Sequence, residues 1–176
     1  MPVNIAYRMI VAVGMCVVGA VALAQGDRDL TIAPGRPPRQ AALNVSLTPT
    51  TAQVLTIGSP IGFSLGATAK GYANLYALSA SGKVQLWLEN VPIKAGRALS
   101  YPSAGVIRAT PPSGDEQILL VVTREPFDGF GHGAVRSPLV LQYTHAEFRQ
   151  AVAAKVDRLP RGNWALTELI IRVEDR

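Results

Sequence analysis

A serine between two glycines and a pair of histidines are the residues whose types could support hydrolytic chemistry. Gly62-Phe63-Ser64-Leu65-Gly66 matches the Gly-x-Ser-x-Gly pattern, in which glycines permit the sharp strand-to-helix turn that exposes a nucleophilic serine. Ser64 instead lies inside an alternating strand pattern that no helical pattern follows. His132 and His145 are the candidate general bases, and neither has an acidic neighbour at a telling spacing. The sequence therefore predicts no catalytic residue, with a small serine- or histidine-dependent hydrolase as the alternative.

The glycine-rich stretch from Asp128 to Gly133 is the second candidate for chemistry. Phosphate-binding turns need a strand before them and a helix immediately after them, and this stretch has neither setting. A metal bound by Asp128 and His132 would lack the three or four protein ligands of a stable site. We therefore expect no metal and no cofactor, and a surface loop here, with a ligand-contacting loop as the alternative.

Residues 1–24 have the three parts of a secretory signal peptide. Arg8 supplies the positive charge, an apolar run from Met9 to Val21 follows, and a small-x-small site ends at Ala24. The sequence predicts cleavage between Ala24 and Gln25 and a periplasmic or secreted protein, with an uncleaved membrane anchor as the alternative. Cys16, the single cysteine, lies in the apolar run and lacks the small preceding residues of a lipid-attachment site. The mature chain is therefore expected to fold without a disulfide.

Chain length and net charge limit the number of domains and the kinds of partner that this protein can have. Removal of the leader leaves about 150 residues, the size of one domain. Loss of Arg8 lowers the formal net charge of +5 by one, and the remaining cations are scattered without interleaved aromatic residues. We expect no nucleic-acid partner, and contact with a membrane only through the leader if it is not cleaved. Residues 25–42, rich in proline and arginine, are predicted to be a flexible tether before a domain at 43–176.

Apolar residues at every second position predict a mostly β domain. Leu43, Val45 and Leu47 share one strand face, and a second face is formed by Ile61, Phe63, Leu65 and Ala67. The run 72–79 is apolar on both faces, as a central strand is. Another buried strand is predicted at 117–123, and 164–173 is the last predicted strand. Ser79-Ala80-Ser81-Gly82 predicts a hairpin into a strand at 83–88. Together these runs predict an antiparallel Greek-key β-sandwich.

One C-terminal α-helix is predicted between Thr144 and Leu159. Phe148, Val152 and Val156 recur every four residues and form one apolar stripe. Thr144 and Glu147 have the spacing of a capping box. We expect this helix to cover an edge or an open end of the sandwich, with His145 in its first turn.

Three aromatic residues form the candidate partner-binding site. Alternation predicts that Trp87 points outward while Val84, Leu86 and Leu88 point inward, and it groups Trp87 with Tyr72 and Tyr76 on one face of the hairpin. Lys83 and Gln85 flank Trp87 and favour a partly solvated surface. The alternative is that these rings are covered by the second sheet or by the helix.

The segment 57–127 resembles the bacterial family known as domain of unknown function 4384 (DUF 4384). Its motifs occur here in order: Gly58 with Phe63, Lys70-Gly71-Tyr72 with Leu75-Tyr76, Ser81-Gly82-Lys83-Val84, Pro112-Ser113-Gly114-Asp115-Glu116, and Thr123-Arg124-Glu125-Pro126. Leu88-Glu89-Asn90 stands where the family usually has a Pro-Asn pair, so Glu89 is a departure.

The resemblance implies a role but no catalytic residues. Such domains occur in bacterial envelope proteins and beside signalling or protease-like modules. The resemblance therefore implies a non-enzymatic binding or interaction module of the cell envelope, with another envelope protein as its expected partner. A structural accessory protein of the envelope is a further alternative.

Overall fold

The structure, a computed structural model, describes residues 42–131 and 138–175. The leader, its cleavage site between Ala24 and Gln25, the tether up to residue 41 and His132 lie outside these ranges. The described residues form these elements: β1 (Val45–Pro49), β2 (Val54–Thr56), β3 (Pro60–Ile61), β4 (Phe63–Ala67), β5 (Gly71–Leu78), β6 (Val84–Ile93), β7 (Leu99–Tyr101), β8 (Ile107–Arg108), β9 (Gly114–Thr123), β10 (Leu139–Leu141), α1 (His145–Val156) and β11 (Trp164–Glu174).

A six-stranded main sheet carries the fold, in the order β10-β6-β5-β9-β11-β2. Its neighbouring strands are antiparallel except for β11 and β2, which are parallel. A three-stranded sheet, β1-β4-β7, and the short pair β3-β8 complete the β structure of the described residues. β5 and β9 lie at the centre of the main sheet, and the central place of β5 agrees with the prediction from its two apolar faces.

The two faces of the main sheet bury two separate apolar clusters. In β9, Ile118, Leu120 and Val122 pack with Phe63 and Leu65 of the three-stranded sheet. The alternate residues, Leu119 and Val121, pack with the helix stripe on the opposite face. The main sheet is therefore the middle layer, between a smaller β layer and α1.

The predicted mostly β, sandwich-like fold with one helix near the C-terminus is confirmed. Apolar residues at 43, 45 and 47 face the core, as do those at 61, 63, 65 and 67. The hairpin at residues 79–82 is also present, with Gly82 at a φ of 81°.

Helix α1 has the predicted start and cap, but it ends at Val156, three residues before the predicted end, and it has a different position. Thr144 is its N-cap, and Thr144 and Glu147 form the reciprocal capping box. Phe148, Val152 and Val156 are buried against the face of the main sheet, so the expectation that α1 covers an edge or open end is wrong. Both faces of the central strands are apolar, and the second one needs this cover. Within the described ranges, no helix is long and apolar enough to cross a bilayer.

Candidate functional site

The structure does not assemble Ser64 with His145. Ser64 lies in β4 of the three-stranded sheet, in the middle of a strand as predicted, whereas His145 begins α1 on the other side of the main sheet. The two glycines of the motif have a packing role. A Cβ at Gly62 would lie 2.5 Å from Oγ1 of Thr50, and one at Gly66 would lie 2.5 Å from Oγ of Ser46. The Gly-x-Ser-x-Gly pattern therefore reflects close packing between strands.

The predicted aromatic face of Tyr72, Tyr76 and Trp87 is wrong. Tyr76 pairs with Leu86 across β5 and β6 and is fully buried in the cluster under α1. Trp87 follows Leu86, so it lies on the opposite face, where it is only 6% exposed. Tyr72 is half-buried near the start of β5. Alternation also failed at Leu88, which packs with the cluster of Trp87 and not with Val84 and Leu86, because the register between β5 and β6 shifts at this point.

Tyr76 is the centre of the cluster under the helix. Its ring centroid lies 4.9 Å from that of Phe148 and 5.9 Å from that of Phe130. Burial, and secondly the charge of Glu89, raise the pKa of the Tyr76 hydroxyl well above its ordinary value. The hydroxyl has no hydrogen-bond partner among the described residues. Tyr76 therefore acts as a neutral core residue and is inaccessible to a partner.

Trp87 joins the two β layers. Its ring lies between Phe63 and Tyr101, with centroid distances of 5.8 and 5.7 Å, and is nearly parallel to the ring of Tyr101. Its indole Nε1 donates to Oε1 of Gln85 over 3.0 Å. The alternative that the second sheet covers Trp87 is thus the correct one. The edge of Trp87 that remains accessible lines a cleft.

This cleft, which we call the sandwich cleft, has a volume of about 320 Å³. It opens between the main sheet near the hairpin at residues 79–82 and the segment formed by β8 and residues 109–111. Its apolar walls include Ile61, Ile118 and Ile171, and the charged side chains that line it are Lys83, Arg108 and Glu116. Clefts of about 300–1,000 Å³ with apolar walls and a few converging polar groups are typical ligand sites. The sandwich cleft is therefore the candidate functional site.

Glu116 introduces a carboxylate into the cleft. It precedes the buried end of β9, and its Oε1 accepts a hydrogen bond from the backbone N–H of Ala80 over 3.2 Å. Burial raises the pKa of Glu116, and the hydrogen bond from Ala80 opposes that rise. The ionised carboxylate is thus less stable in the folded protein than in the unfolded chain.

We expect Glu116→Gln to remove a pH dependence of stability. Below the ordinary pKa of 4.5 both states of the wild type are protonated, so ionisation has no cost. As the pH rises through the higher pKa of the folded state, the wild type loses stability that the glutamine variant keeps. Chemical unfolding between acid and neutral pH measures the difference. A constant difference across that range would contradict the prediction.

A second polar feature, the buried corner, is formed by Asn74 of β5 with Glu89 and Asn90 of β6. Asn90 has a positive φ of 52°, and its side chain both accepts from the N–H and donates to the C=O of Phe127, each over 2.7 Å. Asn74 Oδ1 accepts from the N–H of Asn90 over 2.9 Å, and Glu89 Oε1 accepts from the N–H of Gly131 over 2.8 Å. These bonds hold the loop segment that follows β9 against β6, so the corner has a structural role.

In the described part of the glycine-rich loop, the side chains of Asp128 and Phe130 both contact α1. The ammonium of Lys155 lies 3.2 Å from a carboxylate oxygen of Asp128 and 5.2 Å from the ring centroid of Phe130. Phe130 also packs against Tyr76 and Phe148. No group of three side chains suited to holding a metal occurs in residues 42–131 and 138–175.

The sequence pointed to only one wall of the sandwich cleft. Lys83 and Gln85 were placed beside Trp87 on one face, and all three do line the cleft. Arg108, Glu116 and Ile171 come from separate strands, and no local pattern connects them. The one local signal was that Glu116, with Asp115 and Gln117, stands directly before the apolar run at 118–122.

No protein-family model matches this chain, and no curated protein matches it significantly in sequence. The resemblance to DUF 4384 therefore stays a prediction.

Proposed function

We propose that this protein is a non-enzymatic binding module of the bacterial cell envelope, and that the sandwich cleft is its binding site. The observation that carries the proposal is the cleft itself, in which isoleucine walls and the indole of Trp87 adjoin three charged side chains. Apolar walls supply most of the binding free energy of a ligand, and a few polar groups orient it.

The architecture supports a permanent cleft. β3 and β8 pair through only two residues each, so they cover the face of the main sheet incompletely. The floor belongs to β6, β9 and β11 of the rigid main sheet, and Trp87 is held by two neighbouring rings. A site held by packed strands requires little ordering when a ligand binds.

The cellular setting rests on the sequence. The predicted leader implies export to the periplasm or the medium, and the resemblance to DUF 4384 implies an envelope protein. An envelope protein as partner stays a prediction of that resemblance. The dimensions of the cleft favour a small molecule as its occupant.

Thr110→Trp tests the site, because Thr110 is exposed at the cleft wall and a tryptophan there would fill the opening. The measurement is saturation-transfer NMR with a library of small aromatic fragments, and we expect it to detect fragments bound to the full-length wild type. In Thr110→Trp at least about nine-tenths of that signal should be lost, because the tryptophan occupies the pocket and excludes the fragments.

Thr48→Trp is the matched control, because Thr48 is an exposed threonine on β1 outside the cleft. It is expected to retain wild-type fragment binding. Equal binding to wild type and Thr110→Trp, or no fragment binding to the wild type, would refute the cleft as the binding site.

A further inference from the structure

We infer that the ligand of the sandwich cleft is a small amphipathic anion, with a flat apolar body and one strongly acidic group. This inference rests on the proposed function and adds the chemical class of the ligand. It is based on the charges that line the cleft and on their partners within the protein.

Two cations line the cleft from different walls. Lys83 follows the hairpin at the end of β5, and Arg108 belongs to β8 on the other side of the opening. Neither forms an ion pair with a carboxylate among the described residues, although Arg149, Lys155 and Arg172 all do. The two positive charges are therefore available to a ligand.

Arg108 is also positioned before a ligand arrives. Its Nη1 donates to the carbonyl oxygen of Gly58 over 2.8 Å, a bond that ties β8 to the turn preceding β3. A guanidinium has five N–H donors, so this bond leaves others for an acidic group. Hydrogen bonds between a cationic donor and an anionic oxygen are roughly twice as strong as neutral ones.

Glu116 is the one carboxylate among the described residues that line the cleft, and it does not cancel both cations. One of its oxygens already accepts from Ala80, and its burial favours the protonated form. The cleft therefore carries a net positive charge, which is largest when Glu116 is neutral. This charge complements one anionic group.

The remaining walls suit a flat apolar body. Ile61, Ile118 and Ile171 line the cleft beside the edge of Trp87. A volume of about 320 Å³ accommodates a bicyclic aromatic ring with one substituent. The net positive charge of the cleft disfavours a cation, and a highly polar sugar would make few apolar contacts with these walls.

Titration calorimetry of the full chain with 2-naphthalenesulfonate and its neutral analogue 2-naphthalenesulfonamide separates charge from shape. We expect the sulfonate to bind about tenfold more tightly, because it adds charge-assisted hydrogen bonds to the same apolar contacts. Lys83→Met and Arg108→Met are each expected to weaken sulfonate binding by about threefold to tenfold with little effect on the sulfonamide. Glu116→Gln is expected to strengthen sulfonate binding at neutral pH.

Lys70→Met is the matched control, because Lys70 is an exposed lysine outside the cleft, and it should leave both affinities unchanged. Equal affinity for the two probes, with both blocked by Thr110→Trp, would overturn the anionic ligand but keep the cleft as a binding site. The anionic ligand would also be overturned if the sulfonate did not bind while other fragments bound to the wild type and not to Thr110→Trp. Absence of all fragment binding would refute the proposed function itself.

Discussion

Replacing Trp87 with alanine is expected to lower the free energy of unfolding by about 3–5 kcal/mol, the cost of truncating a buried aromatic residue. The indole is 6% exposed and fills the space between Phe63 and Tyr101 at the junction of the two β layers. Few side chains could relax into the cavity, because the strands on both sides are fixed by their ladders. The melting temperature should fall by roughly 10 °C.

Two further variants serve as controls for the loss of stability in Trp87→Ala. Trp164→Ala removes a half-buried tryptophan at the start of β11 and is expected to cost clearly less. Trp87→Phe keeps an aromatic ring in the stack, so it should recover much of the stability while changing the wall of the sandwich cleft. A loss below about 1 kcal/mol in Trp87→Ala, the range of surface substitutions, would contradict the buried position of this residue.

Asn90→Ala is expected to destabilise the protein by about 2–4 kcal/mol, because it leaves the N–H and C=O of Phe127 without partners at a part-buried position. Both groups bond to the Asn90 amide over 2.7 Å in the buried corner. Alanine also tolerates the positive φ of 52° less well than asparagine does. Amide hydrogen exchange should show faster exchange at Phe127 in the variant.

Two variants of Asn90 separate the contribution of its backbone conformation to stability from that of its side-chain hydrogen bonds. Asn90→Gly accepts the positive φ but still loses both bonds, so it should be more stable than Asn90→Ala by about 1 kcal/mol. Asn44→Ala, at an exposed asparagine before β1, is the matched control and should have a small effect. If Asn90→Ala were no more destabilising than Asn44→Ala, the buried corner would not stabilise the fold.

Local patterns predicted the elements well because their periods are set by the backbone. The four apolar residues from Ile61 to Ala67 are buried as their alternation requires, and the stripe of α1 is buried as its four-residue spacing requires. The capping box of Thr144 and Glu147 depends only on residues three apart. The two apolar faces of β5 also predicted its central place in a sheet.

The candidate site could be predicted from local sequence patterns only in part. The prediction for Trp87 named a residue that does line the sandwich cleft, but its exposure and its aromatic neighbours were wrong. The face of Trp87 relative to Tyr76 depends on the pairing of Tyr76 with Leu86, and β5 and β6 contain irregularities in register. A shift of one residue exchanges the faces of a strand, so the strand pattern alone could not decide it.

The sequence by itself determined the mostly β character, the hairpin, the capped helix and the burial of the apolar residues in β4 and α1, because each follows from contacts between near neighbours and from the period of the backbone. Only the tertiary structure decided that α1 covers a face of the main sheet and that Lys83, Arg108 and Glu116 line one cleft. Those three residues belong to separate elements, since Lys83 follows the hairpin at residues 79–82, Arg108 ends β8 and Glu116 lies in β9. Their proximity results from strand order and register, which are properties of the whole packed fold.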